Sequence, residues 1–192
     1  GRNVTGMQFK YLLKGKIIFI PVLFFLFSCY LFFGCTTPAK IAADTLLIKG
    51  SAVKGKTSFT LEDLKSMEEG LVEADYFSKN SYGTEEYVHL KGIWVWYILE
   101  EKVGLKDHAS KVNFIAEDGY EVEFTLEEVK REDYINEHNP EAKYKMILAW
   151  EVDGKENTAK NTSPFQLAIG QREPGDENRP YWVRYVKSIV VD

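Results

Sequence analysis

The chain has 192 residues, 45% hydrophobic and 28% charged, with a formal net charge of −5. Those proportions lie in the globular range and exclude a disordered chain, a collagen and a multi-pass membrane protein. The charge is unevenly spread: residues 1–34 hold four basic side chains (Arg2, Lys10, Lys14, Lys16) and no acid, so residues 35–192 keep 20 basic against 29 acidic side chains, a net of −9. An acidic body lacks the cationic footprint that nucleic-acid binding requires, so no nucleic-acid partner is expected.

Residues 17–34, IIFIPVLFFLFSCYLFFG, are 18 residues without a charge behind a lysine-rich flank. That layout is the one of a secretory signal, with Met7 as a start, or of a single-span anchor. Phe32-Phe33-Gly34-Cys35-Thr36-Thr37 resembles a bacterial lipobox, in which a small residue precedes the cysteine that is acylated. Cys35 is therefore the expected lipidation site, with Leu26-Phe27-Ser28-Cys29 as a weaker lipobox, since the apolar run continues past it, and an uncleaved anchor as the alternative. Both readings place the body on the outer face of the cytoplasmic membrane, held there by lipid or span. The segments read as 1–34 signal or anchor, 35–44 tether and 45–192 folded domain. Cys29 and Cys35 are the chain's two cysteines, so the domain has no disulfide, thiolate ligand or cysteine nucleophile.

In chain order, 46–48 and 53–59 read as brief strands. Thr60 caps a short helix, with Asp63 three residues on as the return carboxylate. Residues 71–90 alternate as two strands around Asn80-Ser81-Tyr82-Gly83, and Gly92 is expected to open a helix that ends at Gly104. Residues 112–116 and 120–124 form a hairpin through Asp118-Gly119, a dipeptide that tolerates positive φ. A capped helical turn follows over 125–131, then an irregular polar stretch through Pro140. Strands over 146–152, 165–169 and 182–191 complete the set. Short strands and helices without βαβ alternation predict an α+β, mainly β domain.

Chemistry-bearing residues are sparse. His89, His108 and His138 have no metal-type spacing, and no serine has a nucleophile-elbow context. The acids between Glu127 and Glu137 read as a solvated face, and Trp94-Val95-Trp96-Tyr97 as core. The segment Gly170-Gln171-Arg172-Glu173-Pro174-Gly175-Asp176-Glu177-Asn178-Arg179-Pro180 is an arginine-bearing loop between apolar strands, a setting suited to anions or simply to a surface loop.

Over residues 45–192 the order of motifs resembles the oxidoreductase molybdopterin-binding domain of the sulfite oxidase family. The resemblance is carried by Phe59-Thr60-Leu61-Glu62-Asp63-Leu64, Lys91-Gly92-Ile93 with Ile98-Leu99, Asp118-Gly119-Tyr120, Ile147-Leu148-Ala149, Ser163-Pro164-Phe165-Gln166-Leu167 and Val183-Arg184-Tyr185-Val186-Lys187-Ser188-Ile189. It implies a cofactor pocket made from residues 77–83, the 118–120 turn and the 170–184 segment, with Tyr82, Asp118, Tyr120, Gln166, Arg172, Arg179 and Arg184 as its cofactor-binding residues. The family's metal-ligating cysteine would fall within 77–83, where this chain has none, and Gln166 stands where the family has arginine. Two expectations stay open: a molybdopterin-binding oxidoreductase, or a remnant of one without cysteine-ligated molybdenum, and a non-enzymatic surface lipoprotein that takes an anionic small molecule or a protein partner.

Overall fold

The computed structural model describes residues 42–55, 57–157 and 161–192; the expected leader and Cys35 lie outside them. Twelve strands appear among the described residues: β1 (Thr45–Lys49), β2 (Ser58–Thr60), β3 (Leu71–Lys79), β4 (Glu85–Trp94), β5 (Lys111–Ala116), β6 (Glu121–Thr125), β7 (Tyr134–Asn136), β8 (Asn139–Tyr144), β9 (Ile147–Val152), β10 (Lys155–Glu156), β11 (Gln166–Ala168) and β12 (Val186–Val191). The helices are short: α1 (Leu61–Lys65), α2 (Val95–Tyr97, widening over Ile98–Val103) and α3 (Leu126–Lys130). The domain is thus mainly β with a few short helices.

One sheet runs β2-β1-β12-β5-β6, another β10-β9-β4-β3 with β11 paired to β9, and β7-β8 form a small ribbon. β12, the last strand in sequence, lies in the middle of the first sheet, parallel to β1 and antiparallel to β5. Both sheets feed one apolar core that includes Leu46, Phe114 and Ile189 from the first and Leu90, Ile93 and Trp150 from the second. Buried tyrosines keep their hydroxyls bonded: Tyr76 donates to the Lys145 carbonyl and Tyr134 to the Glu128 carbonyl, each at 2.8 Å. Burial pushes both phenols well above the ordinary tyrosine range.

Local chemistry sets the element ends. Thr60 Oγ1 accepts from Asp63 N at 3.1 Å while Asp63 Oδ2 accepts from Thr60 N at 2.9 Å, and Thr125 and Glu128 repeat the exchange at 3.2 and 2.8 Å. Each capping box satisfies helix-end donors, worth about 1 kcal/mol, and each short helix then seats one fully buried side chain, Leu64 or Val129. In the β3–β4 turn Asn80 Oδ1 accepts from both Tyr82 N and Thr84 N at 2.9 Å, an Asx-type turn.

Four expectations are corrected. Of the strand expected over 53–59 only β2 forms, because the chain bends at Gly55 and Val53 makes just an isolated bridge to Leu105. Gly92 lies inside β4, which runs on to Trp94, and the helix starts at Val95; a Cβ at Gly92 would meet the Leu148 carbonyl oxygen at 2.2 Å, so this glycine serves close strand approach. Residues 134–144 are the β7–β8 ribbon rather than an irregular stretch. The last strand begins at Val186, because Arg179–Tyr181 make a helical turn and Tyr185 has a left-handed backbone, φ 57°. The stop at Gly104 holds: its N–H bonds the Leu99 carbonyl five residues back at 2.9 Å, with φ 69°.

A candidate ligand cleft at the seam of the two sheets

β11 is where the two sheets meet. Gln166 pairs with Ala149 of β9 on one side and forms an antiparallel bridge with Arg184 on the other. Leu167 N donates to the Val183 carbonyl at 2.8 Å and Val186 N to the Phe165 carbonyl at 2.9 Å, so the chain approaching β12 is stitched to β11 before it enters the first sheet. The change of partner happens at Tyr185, whose left-handed backbone turns its carbonyl to accept from Glu117 N at 3.0 Å. For a non-glycine residue that conformation costs about 1–3 kcal/mol, and the bonds on either side hold it.

Residues directly opposite in an antiparallel bridge present side chains to the same face, with Cβ atoms about 4.5–5.5 Å apart. Gln166 and Arg184 accordingly line one cleft of about 230 Å³, together with Val152, Asn157 and Tyr185. Asn157 is fixed there by its own N–H on the Trp150 carbonyl and its Nδ2 on the Pro164 carbonyl, both at 2.9 Å. A shallower hollow of about 290 Å³, formed by Asp44, Leu61, Thr162 and Pro164 among others, adjoins it through Asn157.

Two polar side chains of this cleft, Gln166 and Arg184, lack protein partners. Gln166 is 6% exposed, yet its side-chain amide makes no hydrogen bond to any described residue. The buried atoms sealed off without a partner are Trp94 Nε1 and Asn113 Oδ1; the Gln166 amide is not among them, because it opens on the cleft. Arg184 is exposed and is the one arginine among the described residues whose side chain has no ion pair, hydrogen bond or ring contact.

The other residues expected to bind a cofactor are engaged or exposed. Arg172 is gripped by Asp176 (Nε–Oδ2 3.0 Å, Nη2–Oδ1 2.8 Å), lies 3.9 Å from Glu128 and stacks on Tyr181 at 4.1 Å. Asp176 raises the guanidinium's pKa still further. Arg179 pairs with Glu86 at 2.7 Å and lies over Trp182 at 4.8 Å. Tyr82 is 92% exposed at the tip of the β3–β4 hairpin. Asp118 Oδ1 accepts from Tyr120 N at 2.9 Å, and the Tyr120 hydroxyl donates to the Pro180 carbonyl at 3.2 Å. The 170–184 segment does touch both other regions the resemblance brings together, Tyr120 at Pro180 and β3 at Asn178. The three arginines do not, however, form one free cationic set, since two are already neutralised by carboxylates.

Two further clusters carry charge. Glu85, Glu137 and His138 present donor atoms within 4.8 Å of one another, a set that could ligate a divalent ion. Lys79 Nζ already occupies the centre, 3.1 Å from Glu85 and 2.8 Å from Glu137, while His138 Nε2 lies 3.0 Å from Glu85. Hydrogen bonds from His138 and then Lys79 hold the Glu85 carboxyl below its ordinary range, and Lys79 does the same for Glu137. On the exposed face of β3 and β4, His89 Nδ1 lies 2.7 Å from Asp75 and Nε2 3.2 Å from Glu73, which raises the imidazole's pKa.

Sequence reasoning missed Val152, Asn157 and Tyr185. No local signal marks a left-handed tyrosine, because glycine and asparagine are the residues that advertise that conformation. Among the described residues no helix is long and apolar enough to cross a membrane. The chain matches no protein-family model and no curated protein.

Proposed function

We propose that the domain is a non-catalytic binding module for a small anion, seated between Arg184 and Gln166. The observation that carries this reading is the coincidence, on one cleft, of an unpaired guanidinium and a buried amide without partners, in a body of net charge −9 whose other described arginines are neutralised. Because the Gln166 amide opens on the cleft and bonds no protein group, its donors and acceptor are available to a ligand. A guanidinium supplies the fork that oxyanions fit.

The lining residues speak against catalysis. Val152, Asn157, Gln166, Arg184 and Tyr185 include no carboxylate, imidazole or thiol, and the Tyr185 phenol is the one general acid–base group of the lining, with no second group beside it to activate it. A molybdopterin does not fit this donor set: residues 36–192 hold no cysteine to ligate the metal, and about 230 Å³ lies below the roughly 300–1,000 Å³ of clefts that bury drug-sized ligands. The sequence of the leader supports placing the module outside the cell, attached through Cys35 or through an uncleaved span. Calorimetric titration of the full chain in detergent with sodium acetate and sodium phosphate tests the binding reading. Saturable binding of one of them, lost in Arg184→Ala, is the expected result; identical heats from the variant would overturn it.

A further inference from the structure

Resting on the anion-binding reading, we infer that the ligand class is an N-acylated α-amino carboxylate: a carboxylate with an amide N–H one carbon away, as in an N-acyl amino acid or the C-terminal residue of a peptide. The Gln166 side chain is a primary amide with two N–H donors and one carbonyl acceptor, none of them used within the protein. A bare oxyanion between Arg184 and Gln166 would engage donors on both but leave Gln166 Oε1, which opens on the cleft, to water, whereas a ligand with a donor beside its carboxylate engages that oxygen as well. The complementary ligand therefore carries a donor beside its carboxylate.

That donor is an amide N–H rather than an ammonium group. No acid lines the cleft, so an α-ammonium would be partly desolvated near a guanidinium with only its own carboxylate, already engaged by Arg184, as counter-charge, at a cost that a neutral amide avoids. Val152 supplies an apolar wall for a small side chain or the acyl methyl. Asn157 anchors its own amide nitrogen on Pro164 at 2.9 Å, which leaves its carbonyl oxygen as a second acceptor on the same wall. Two acceptors and one cationic fork around about 230 Å³ describe a site for a short, singly charged molecule with its donor and its carboxylate close together.

The test is an NMR titration of the full chain in detergent with four probes: N-acetylglycine, glycine, sodium acetate and sodium phosphate. N-acetylglycine is expected to bind at least about tenfold more tightly than acetate or glycine, the increment of one well-made buried hydrogen bond. Gln166→Met, close in shape but without the amide, should bring N-acetylglycine and acetate to within about twofold of each other, while Arg184→Ala abolishes both. An acetylated tripeptide ending in glycine, compared with N-acetylglycine, separates a peptide terminus from a free small molecule, and tighter binding of either keeps the class. Equal affinity for N-acetylglycine and acetate, or preference for phosphate or glycine, would overturn the inference while leaving anion binding in place. Binding of none of the probes would overturn both.

Discussion

The buried amides nearest Ile169 in sequence are treated in opposite ways on its two sides. After it, Asn178 is fully buried and fully used: Nδ2 donates to the Phe77 and Ile169 carbonyls and Oδ1 accepts from Lys79 N, all at 2.9 Å. Gln171, equally buried, accepts from Glu137 N at 2.8 Å and donates to the Asp176 carbonyl at 2.9 Å. Before it, Gln166 is almost as deep and bonds nothing. The arginines of the 170–184 segment also differ among themselves, with Arg172 and Arg179 held by acids and Arg184 without an ion pair. Saturated polar groups hold a fold together, whereas unsaturated ones in a cleft are held ready for something else. The 170–182 segment is thus read as structural stitching, and the Gln166–Arg184 pair as the site.

The sharpest way to break this contrast is to delete each amide. Asn178→Ala strands the Phe77 carbonyl and the Lys79 N–H at the edge of β3, while the Ile169 carbonyl keeps Trp182 Nε1, and is expected to destabilise by about 2–4 kcal/mol, read as a fall in the urea midpoint. Gln166→Met removes no protein hydrogen bond and fills a buried position with an apolar side chain, so its stability should lie within about 1 kcal/mol of the parent. Equal losses in the two variants would dissolve the distinction.

The arginines give the next largest difference. Arg172→Ala leaves the 12%-exposed Asp176 side chain facing no guanidinium and is expected to cost about 1–3 kcal/mol in the same assay. Arg184→Ala should change stability by less than about 0.5 kcal/mol. Smaller again is the effect at Tyr185: glycine there relieves the left-handed backbone but loosens the unfolded chain, so a gain of at most about 1 kcal/mol is expected, measured as a rise in Tm. A loss would mean that the tyrosine side chain, not the backbone, holds the junction.

How much of this was legible beforehand follows from which interactions are local. The two capping boxes, the Asp118-Gly119 hairpin and the Asn80 turn depend on residues within four positions of one another, and each could be read from the chain. The β7–β8 ribbon could not, because Asn139–Tyr144 is polar and mostly exposed and shows no apolar alternation. Gly92 looked like a helix opener since its real neighbour, the Leu148 backbone, is 56 residues away in sequence. Gln166 and Arg184 were picked out by the family resemblance for a phosphate-bearing cofactor, and the cleft brings them together. Val152 and Asn157 join them only through the pairing of β9, β10 and β11, which no spacing rule anticipates.

The smallest expected effect is one of pH. His89 has a raised pKa through Asp75 and then Glu73, so its contribution to stability is present below about 6.5, the ordinary imidazole value, and is lost as pH rises through the folded-state value. Glu85 and Glu137 act in the opposite sense: their lowered values contribute above about 4.5 and are lost as pH falls through the folded-state values. Stability should therefore be broadest between these limits. An imidazole titration of His89 by NMR with a midpoint at or below the ordinary value would remove the first half of that window.

The central claim, that the Gln166–Arg184 cleft is a binding site while the neighbouring arginines are structural, is tested most directly by following arginine Nε and glutamine Nε2 proton resonances as sodium acetate is added to the full chain in detergent. The Arg184 Nε and Gln166 Nε2 signals are expected to move together along one saturable curve while those of Arg172, Arg179 and Gln171 stay in place. Movement of Arg172 or Arg179 along the same curve, or no saturable movement at Arg184 and Gln166, would contradict it.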